Sequence, residues 1–302
     1  MTLTSDDLDR IAAELAETGE IDSRWVYMAE GAEFWDRYVT WQEGDATPNL
    51  TGTALDLLRA AHDDLIAPLT GPVRVLDLGP GNGIPARGVL ERLATAGRLE
   101  RYIGIDASAE MFAIAERNLR TWLGPDIPLE FHRRNFTADP LTDLRGPATL
   151  ALLIGGTLLN CTDPVAVLRH ARTAADVIVH GARVDTVTNR TFFRFSPTET
   201  GEDIPDRHRA LLDRLGVPRS HYEPEIGYDD TTRQRYLRIH VTCPVTVADR
   251  LTLPAGRRVL LWRYHHLAAD EHIAMLEAAG WTKLTARLTP DGEFLLLAGR
   301  AG

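Results

Sequence analysis

The chain has 302 residues and a formal net charge of −10, with 44% hydrophobic and 25% charged residues. That much apolar content builds a large core and excludes wholesale disorder, and the acidic balance excludes a general phosphate-binding surface of the kind nucleic acids need. Two cysteines, Cys161 and Cys243, exclude a disulfide framework and a four-thiolate zinc site.

The first residues, MTLTSDDLDR, carry neither a basic nor an apolar targeting run, and stretches such as LALLIGG are too short to span a bilayer. A cytoplasmic enzyme without membrane or nucleic-acid partners is expected. Residues 5–18 predict an amphipathic helix with Ser5 as N-cap and Leu8, Ile11, Ala12 and Leu15 as its apolar stripe. Residues 23–41 are dense in aromatics, which either pack on a core or line a pocket lid. A second helix spans 53–69 and stops at the Thr70-Gly71-Pro72 breaker.

From residue 73 the pattern changes. Strands are predicted at 73–79, 101–108, 129–136, 148–156 and 176–183, with helices at 85–95, 109–123 and 163–174. Alternation of this kind makes βαβ units, hence a parallel sheet covered by helices on both faces. The rhythm breaks after residue 187. Residues 188–230 are polar, with one helix at 206–216. Strands follow at 236–247 and 257–266, joined by the turn LPAG at 253–256, then a helix at 269–280 and a last hairpin turning at Pro290-Asp291-Gly292.

The segment VLDLGPGNG (75–83) runs a strand into a loop with Gly79, Gly81 and Gly83. Such glycines let the backbone turn tightly and approach a ligand. The dinucleotide fingerprint is G-x-G-x-x-G, whereas position 84 here is Ile84. Asp77 precedes the first glycine and suits a cation better than a pyrophosphate, and S-adenosylmethionine is cationic and phosphate-free. Asp106 ends the second strand, 23 residues after Gly83, where a carboxylate accepts the ribose hydroxyls of either cofactor class.

This combination resembles the class I S-adenosylmethionine-dependent methyltransferases. Four segments are similar to the histidine-specific methyltransferase family: RWVYMAEGAEFWDRYV (24–39) to its lid, VLDLGPGNG with YIGIDASAEMF to its cofactor motifs, IGGTLLN (154–160) to the segment after its fourth strand, and residues 237–266 to its late hairpin. The resemblance implies a Rossmann-like class I sheet, α/β in class, with a smaller split α+β substrate-binding domain. Residues 1–57 and 188–262 would form the substrate-binding domain, and 58–187 with 263–302 the cofactor-binding core. The site would lie in the crevice between them.

Carried over residue by residue, the cofactor would be held by Tyr27, Asp77, Gly79, Gly81, Asn82, Gly83, Asp106, Ala107, Met111, Asn135 and Phe136. Tyr27 and Asn160 are the residues expected to orient the reaction. Gly156, Thr157, Asn160, Phe193, Arg194, Leu261, Arg263, Tyr264 and His265 join Tyr27 on the substrate side. Leu261 and Arg263 stand where the family's imidazole readers, a glutamate and a serine, are found, and Thr47 stands for a ring-gripping tyrosine. A site lacking those partners reads histidine poorly. The expected activity is therefore methylation of a nitrogen on a small amino acid or derivative other than histidine, with no metal. Two alternatives stay open: O- or C-methylation of an aromatic metabolite, and cyclisation of the cofactor to give methylthioadenosine.

Overall fold

The computed structural model describes residues 3–45, 49–191 and 204–302. In chain order its elements are α1 (Ser5–Thr18), α2 (Glu30–Gly44), α3 (Leu50–Ile66), β1 (Val73–Leu78), α4 (Arg87–Thr95), β2 (Leu99–Asp106), α5 (Ala109–Leu123), β3 (Leu129–Arg133), β4 (Thr149–Leu153), α6 (Thr157–Asn160), α7 (Pro164–Ala171), β5 (Val177–Arg183) and α8 (Val187–Thr191). They continue with α9 (Asp206–Arg214), β6 (Tyr222–Asp229), β7 (Gln234–Val241), β8 (Val245–Val247), β9 (Leu251–Leu253), β10 (Arg258–His265), α10 (Ala269–Ala278), β11 (Trp281–Leu288) and β12 (Phe294–Ala301). They form two compact units. One takes in Met1–Tyr38 and Phe193–His265, the other Val39–Phe192 and His266–Gly302. The expected boundary at residue 57 falls inside α3.

The larger unit is built on a seven-stranded sheet in the order β11-β12-β5-β4-β1-β2-β3. β1 to β5 pair in parallel, and β12 runs antiparallel to both β5 and β11. β4 is buried along its whole length and β1 at every position but Arg74, as expected of strands covered on both faces. One face packs on the apolar sides of α3 (Ala54, Leu58, Ala61, Leu65) and α4 (Val89, Leu90, Leu93). α3 starts three residues earlier than its sequence pattern because Asn49 caps it, accepting from Gly52 N at 2.9 Å. Strand order reverses between β1 and β4, and in such sheets ligands bind beyond the carboxyl ends at that reversal.

The smaller unit holds α1, α9, a three-stranded antiparallel sheet in the order β10-β7-β6, and the β8–β9 hairpin. The cap of α1 is Thr4, not Ser5. Asp7, three residues on, accepts from Thr4 N at 3.0 Å and returns its own N–H to Thr4 Oγ1, which Ser5 cannot match. The long strand expected at 236–247 is broken. Pro244 has no N–H for a ladder, so β7 stops at Val241, and β8 pairs with β9 instead. The LPAG turn consequently joins β9 to β10. β6 was hidden in the polar stretch before residue 230. It is an edge strand, where Pro224 is tolerated.

In the same unit the aromatic stretch folds as a 3-10 turn over Ser23–Tyr27 leading into α2. Trp25 is buried and its indole N–H donates to Glu14 at 2.9 Å. The turn closes so tightly at Gly31 that a Cβ there would lie 1.8 Å from the Val26 carbonyl oxygen. Backbone cannot yield by that much without opening the turn. Gly31→Ala is expected to destabilise this unit by about 3 kcal/mol or more in urea denaturation, and a loss under about 1 kcal/mol would disprove the packing described.

Candidate active site

The loop after β1 is shaped by three left-handed residues, Gly79 (φ 76°), Gly81 (φ 56°) and Gly83 (φ 83°). Each lies where an L side chain is strained. A Cβ on Gly79 would sit 3.2 Å from Thr157 Cγ2 and 3.6 Å from Phe136 Cε1. The loops after β1, β3 and β4 therefore converge at the reversal point. Gly83 serves packing instead, since its Cβ would meet Leu119 and Trp122 of α5 at 3.4 and 3.6 Å. Asn82 is buried. Its Oδ1 accepts from Ile84 N at 3.2 Å and its carbonyl accepts from Asn118 Nδ2 at 3.0 Å, which pins the loop to α5.

Two carboxylates flank this loop. Asp77, at the end of β1, is buried and accepts a hydrogen bond from the Tyr102 hydroxyl at 2.9 Å. Burial pushes its pKa up to about 7, with the Tyr102 hydrogen bond opposing and the Asp106 charge adding. Asp106 keeps part of its surface open. Burial raises it to about 6 against the backbone N–H groups of Ser108 and Ala107. Asp106 Oδ1 accepts from Ser108 N at 2.9 Å, and Ser108 then caps α5 by accepting from the buried Met111's N–H at 3.2 Å.

Beyond β4, Gly155 and Gly156 (φ 85° and 82°) turn the chain into the single turn of α6. Asn160, at its end, has its side-chain oxygen buried with no hydrogen-bond partner. An orphaned buried acceptor costs free energy unless a ligand donates to it. Asn135 turns inward on its own loop, where its Oδ1 accepts from Thr137 N at 3.1 Å and Thr137 Oγ1 at 2.8 Å.

The larger unit thus brings together Asp77, Gly79, Asp106, Phe136, Gly156, Thr157 and Asn160. Tyr27, Leu261, Arg263, Tyr264 and His265 belong to the smaller unit. There Tyr27 meets Trp35 edge-on at 5.3 Å, Leu261 and Tyr264 are buried, and Arg263 is ion-paired with Glu20. His265 Nδ1 lies 3.4 Å from Gln234 Nε2. Phe193, Arg194 and Thr47 lie outside the described residues. Sequence reading missed Tyr102, whose only outward sign is a tyrosine two residues before a strand glycine. It also missed His180 and His272, buried with rings 5.4 Å apart and held neutral by burial, at about 3 and about 4.

A phosphate-free cationic cofactor fits this donor set. The loop cradle leaves little room for a Cβ at Gly79, and the acids offer acceptors for hydroxyls and a cation. Among the described residues, no helix is long and apolar enough to cross a membrane.

Comparison with known proteins agrees. The model of the family described as histidine-specific methyltransferase, SAM-dependent, matches residues 7–184, more than half of the chain. No curated protein sequence matches. Among solved structures, the chain is similar to an S-adenosylmethionine-dependent methyltransferase from Clostridium acetobutylicum ATCC 824, at 12% identity over 89% of this chain and 98% of that one, with a TM-score of 0.50. At that identity the likeness is one of fold, the Rossmann-like class I sheet. It is also similar to magnesium protoporphyrin IX methyltransferase from Synechocystis PCC 6803, at 15% identity over 92% and 98%, with a TM-score of 0.48. With more than half its length matched by the family, the chain belongs to the histidine-specific, S-adenosylmethionine-dependent methyltransferases and is a methyltransferase that uses that cofactor.

Proposed function

We propose that the enzyme methylates a nitrogen of a small free amino acid or amino-acid derivative other than histidine. The buried, unpartnered oxygen of Asn160 carries this reading. It is an acceptor without a donor beside the reversal point, and an amine N–H of the substrate supplies one. Asp77, the glycine loop and Asp106 would hold the cofactor, whose sulfonium supplies an electrophilic methyl group. Asn160 would then fix the amine in line by accepting one N–H, and the amine reacts in its uncharged, nucleophilic form. Positioning of this kind accounts for much of the rate gain in a displacement that needs little covalent help. Histidine is disfavoured because, by the resemblance, Leu261 and Arg263 replace the glutamate and serine that read the imidazole in the family, and a leucine side chain has no hydrogen-bonding atom.

The test is incubation with S-adenosylmethionine and a panel of free amino acids, followed by mass analysis. A mass gain of one or more methyl groups on one amine, with S-adenosylhomocysteine as by-product, is the expected result. Methylthioadenosine formed without added substrate would overturn it in favour of cofactor cyclisation. Asn160→Ala should raise the substrate KM about tenfold and leave cofactor affinity unchanged. An unchanged KM would remove Asn160 from the substrate site.

A further inference from the structure

The Asp77 carboxylate is held by one side chain in an unusual way. Tyr102 sits on β2 opposite Val75, and the residue opposite Asp77 is Gly104. To donate to Asp77 Oδ2 at 2.9 Å, the Tyr102 ring lies along the sheet across Gly104, rather than standing away from it. The missing side chain makes this possible. A Cβ on Gly104 would be 3.3 Å from Tyr102 Cε1 and 2.9 Å from Phe131 Cδ1. Phe131 meets the Tyr102 ring edge-on at 5.9 Å and is backed by Phe112 at 5.2 Å. Gly104 and Phe131 together fix the direction of the phenol, and Tyr102 is completely buried.

The elements around Asp77 leave it few other influences. On β4 the facing residue is Leu152. α4 covers this face with Val89, Leu90 and Leu93, while its Arg87 and Arg92 pair with Glu91 and Asp63. α3 adds apolar residues to the same cluster, and its His62 is kept neutral, first by burial. α5 contributes Leu119 and, through Asn118, the bond to the loop carbonyl of Asn82. Among the described residues, the polar groups that act on Asp77 come from β2, namely Tyr102 and Asp106.

We propose that Tyr102 is a positioning residue for the cofactor, acting through Asp77 by fixing its carboxylate beneath the glycine loop to receive the cation of S-adenosylmethionine. This rests on the placement of Asp77 in the cofactor site. A phenylalanine would fill the same space but leave the carboxylate without its donor. The buried acid would then satisfy itself by keeping its proton, and a protonated acid attracts a cation poorly. Because burial already brings Asp77 to about 7, loss of the hydroxyl moves its titration further up through the working range.

The experiment is calorimetric titration of the whole protein with S-adenosylmethionine between about pH 6 and pH 9, using wild type, Tyr102→Phe and Asp77→Asn. Tyr102→Phe keeps the ring and should fold. It is expected to bind about tenfold more weakly at pH 7, with the loss narrowing toward pH 9 and the midpoint of the affinity profile moved upward. Asp77→Asn should bind weakly at every pH, without that profile. A Tyr102→Phe protein with wild-type affinity and midpoint, beside a weakened Asp77→Asn, would overturn the role of Tyr102 alone. A loss that is uniform across pH would also overturn it, as a packing defect. Wild-type binding by Asp77→Asn would remove Asp77 from the site, and the proposal with it.

Discussion

Gly79→Val is expected to lower S-adenosylmethionine affinity by more than about a hundredfold while the protein stays folded. Two effects add. At φ 76° any L residue is strained, which costs about 1–2 kcal/mol and falls on the native state. The larger effect is occupancy. A bare Cβ already sits 3.2 Å from Thr157 Cγ2 and 3.6 Å from Phe136 Cε1, so the two γ-carbons of valine must enter the space where the three loops meet. Gly79→Ala should fall between the two, since it adds the strain and the tight contact but no further volume. Equilibrium dialysis with labelled cofactor measures the affinity, and thermal melting measures the strain, expected at about 2–8 °C. Affinity within threefold of wild type would place the cofactor elsewhere.

The features of this site differ in how far the sequence discloses them, and the reason is range. Gly79, Gly81, Gly83 and Asp106 are legible because a loop between a buried strand and a helix must turn tightly, and only a few residue types can do so. The sheet is legible because β1, β4 and β5 are short apolar runs with helices between them. β6 is not, because Pro224 and Gly227 interrupt its alternation and only pairing with β7 makes it a strand. Gly227 is there to admit the Tyr236 ring, whose hydroxyl a Cβ would meet at 2.4 Å, a requirement invisible without the partner strand. The Tyr102–Asp77 bond depends likewise on the register of two parallel strands. For Asn160, the sequence places an asparagine after the fourth strand, but only the packing around it leaves its oxygen buried and unmatched.

Asp77→Asn is expected to stabilise the cofactor-free protein at pH 8 and to leave it nearly unchanged at pH 4. The sign follows from linkage. The folded pKa of Asp77, about 7, lies above the unfolded value of about 3.9. A group raised in this way adds stability below its unfolded pKa, and that stability is lost as pH rises through the folded value. At pH 8 wild type carries a buried carboxylate that is ionised in both states, at a cost of about 4 kcal/mol as an upper figure. Asparagine removes that cost and can still accept from Tyr102. His180 and His272 act with the opposite sign, losing stability as pH falls below about 6.5, but they are common to both proteins and cancel in the difference. Urea denaturation of the two cofactor-free proteins at both pH values measures it, and a difference that does not change with pH would refute the assignment of a raised, buried acid. Saturating S-adenosylmethionine should reverse the order, because a cation beside Asp77 stabilises its ionised form and the asparagine variant has no charge to offer. If the order reverses, the buried carboxylate that weakens the empty protein is the group that receives the cation, and its local instability serves binding.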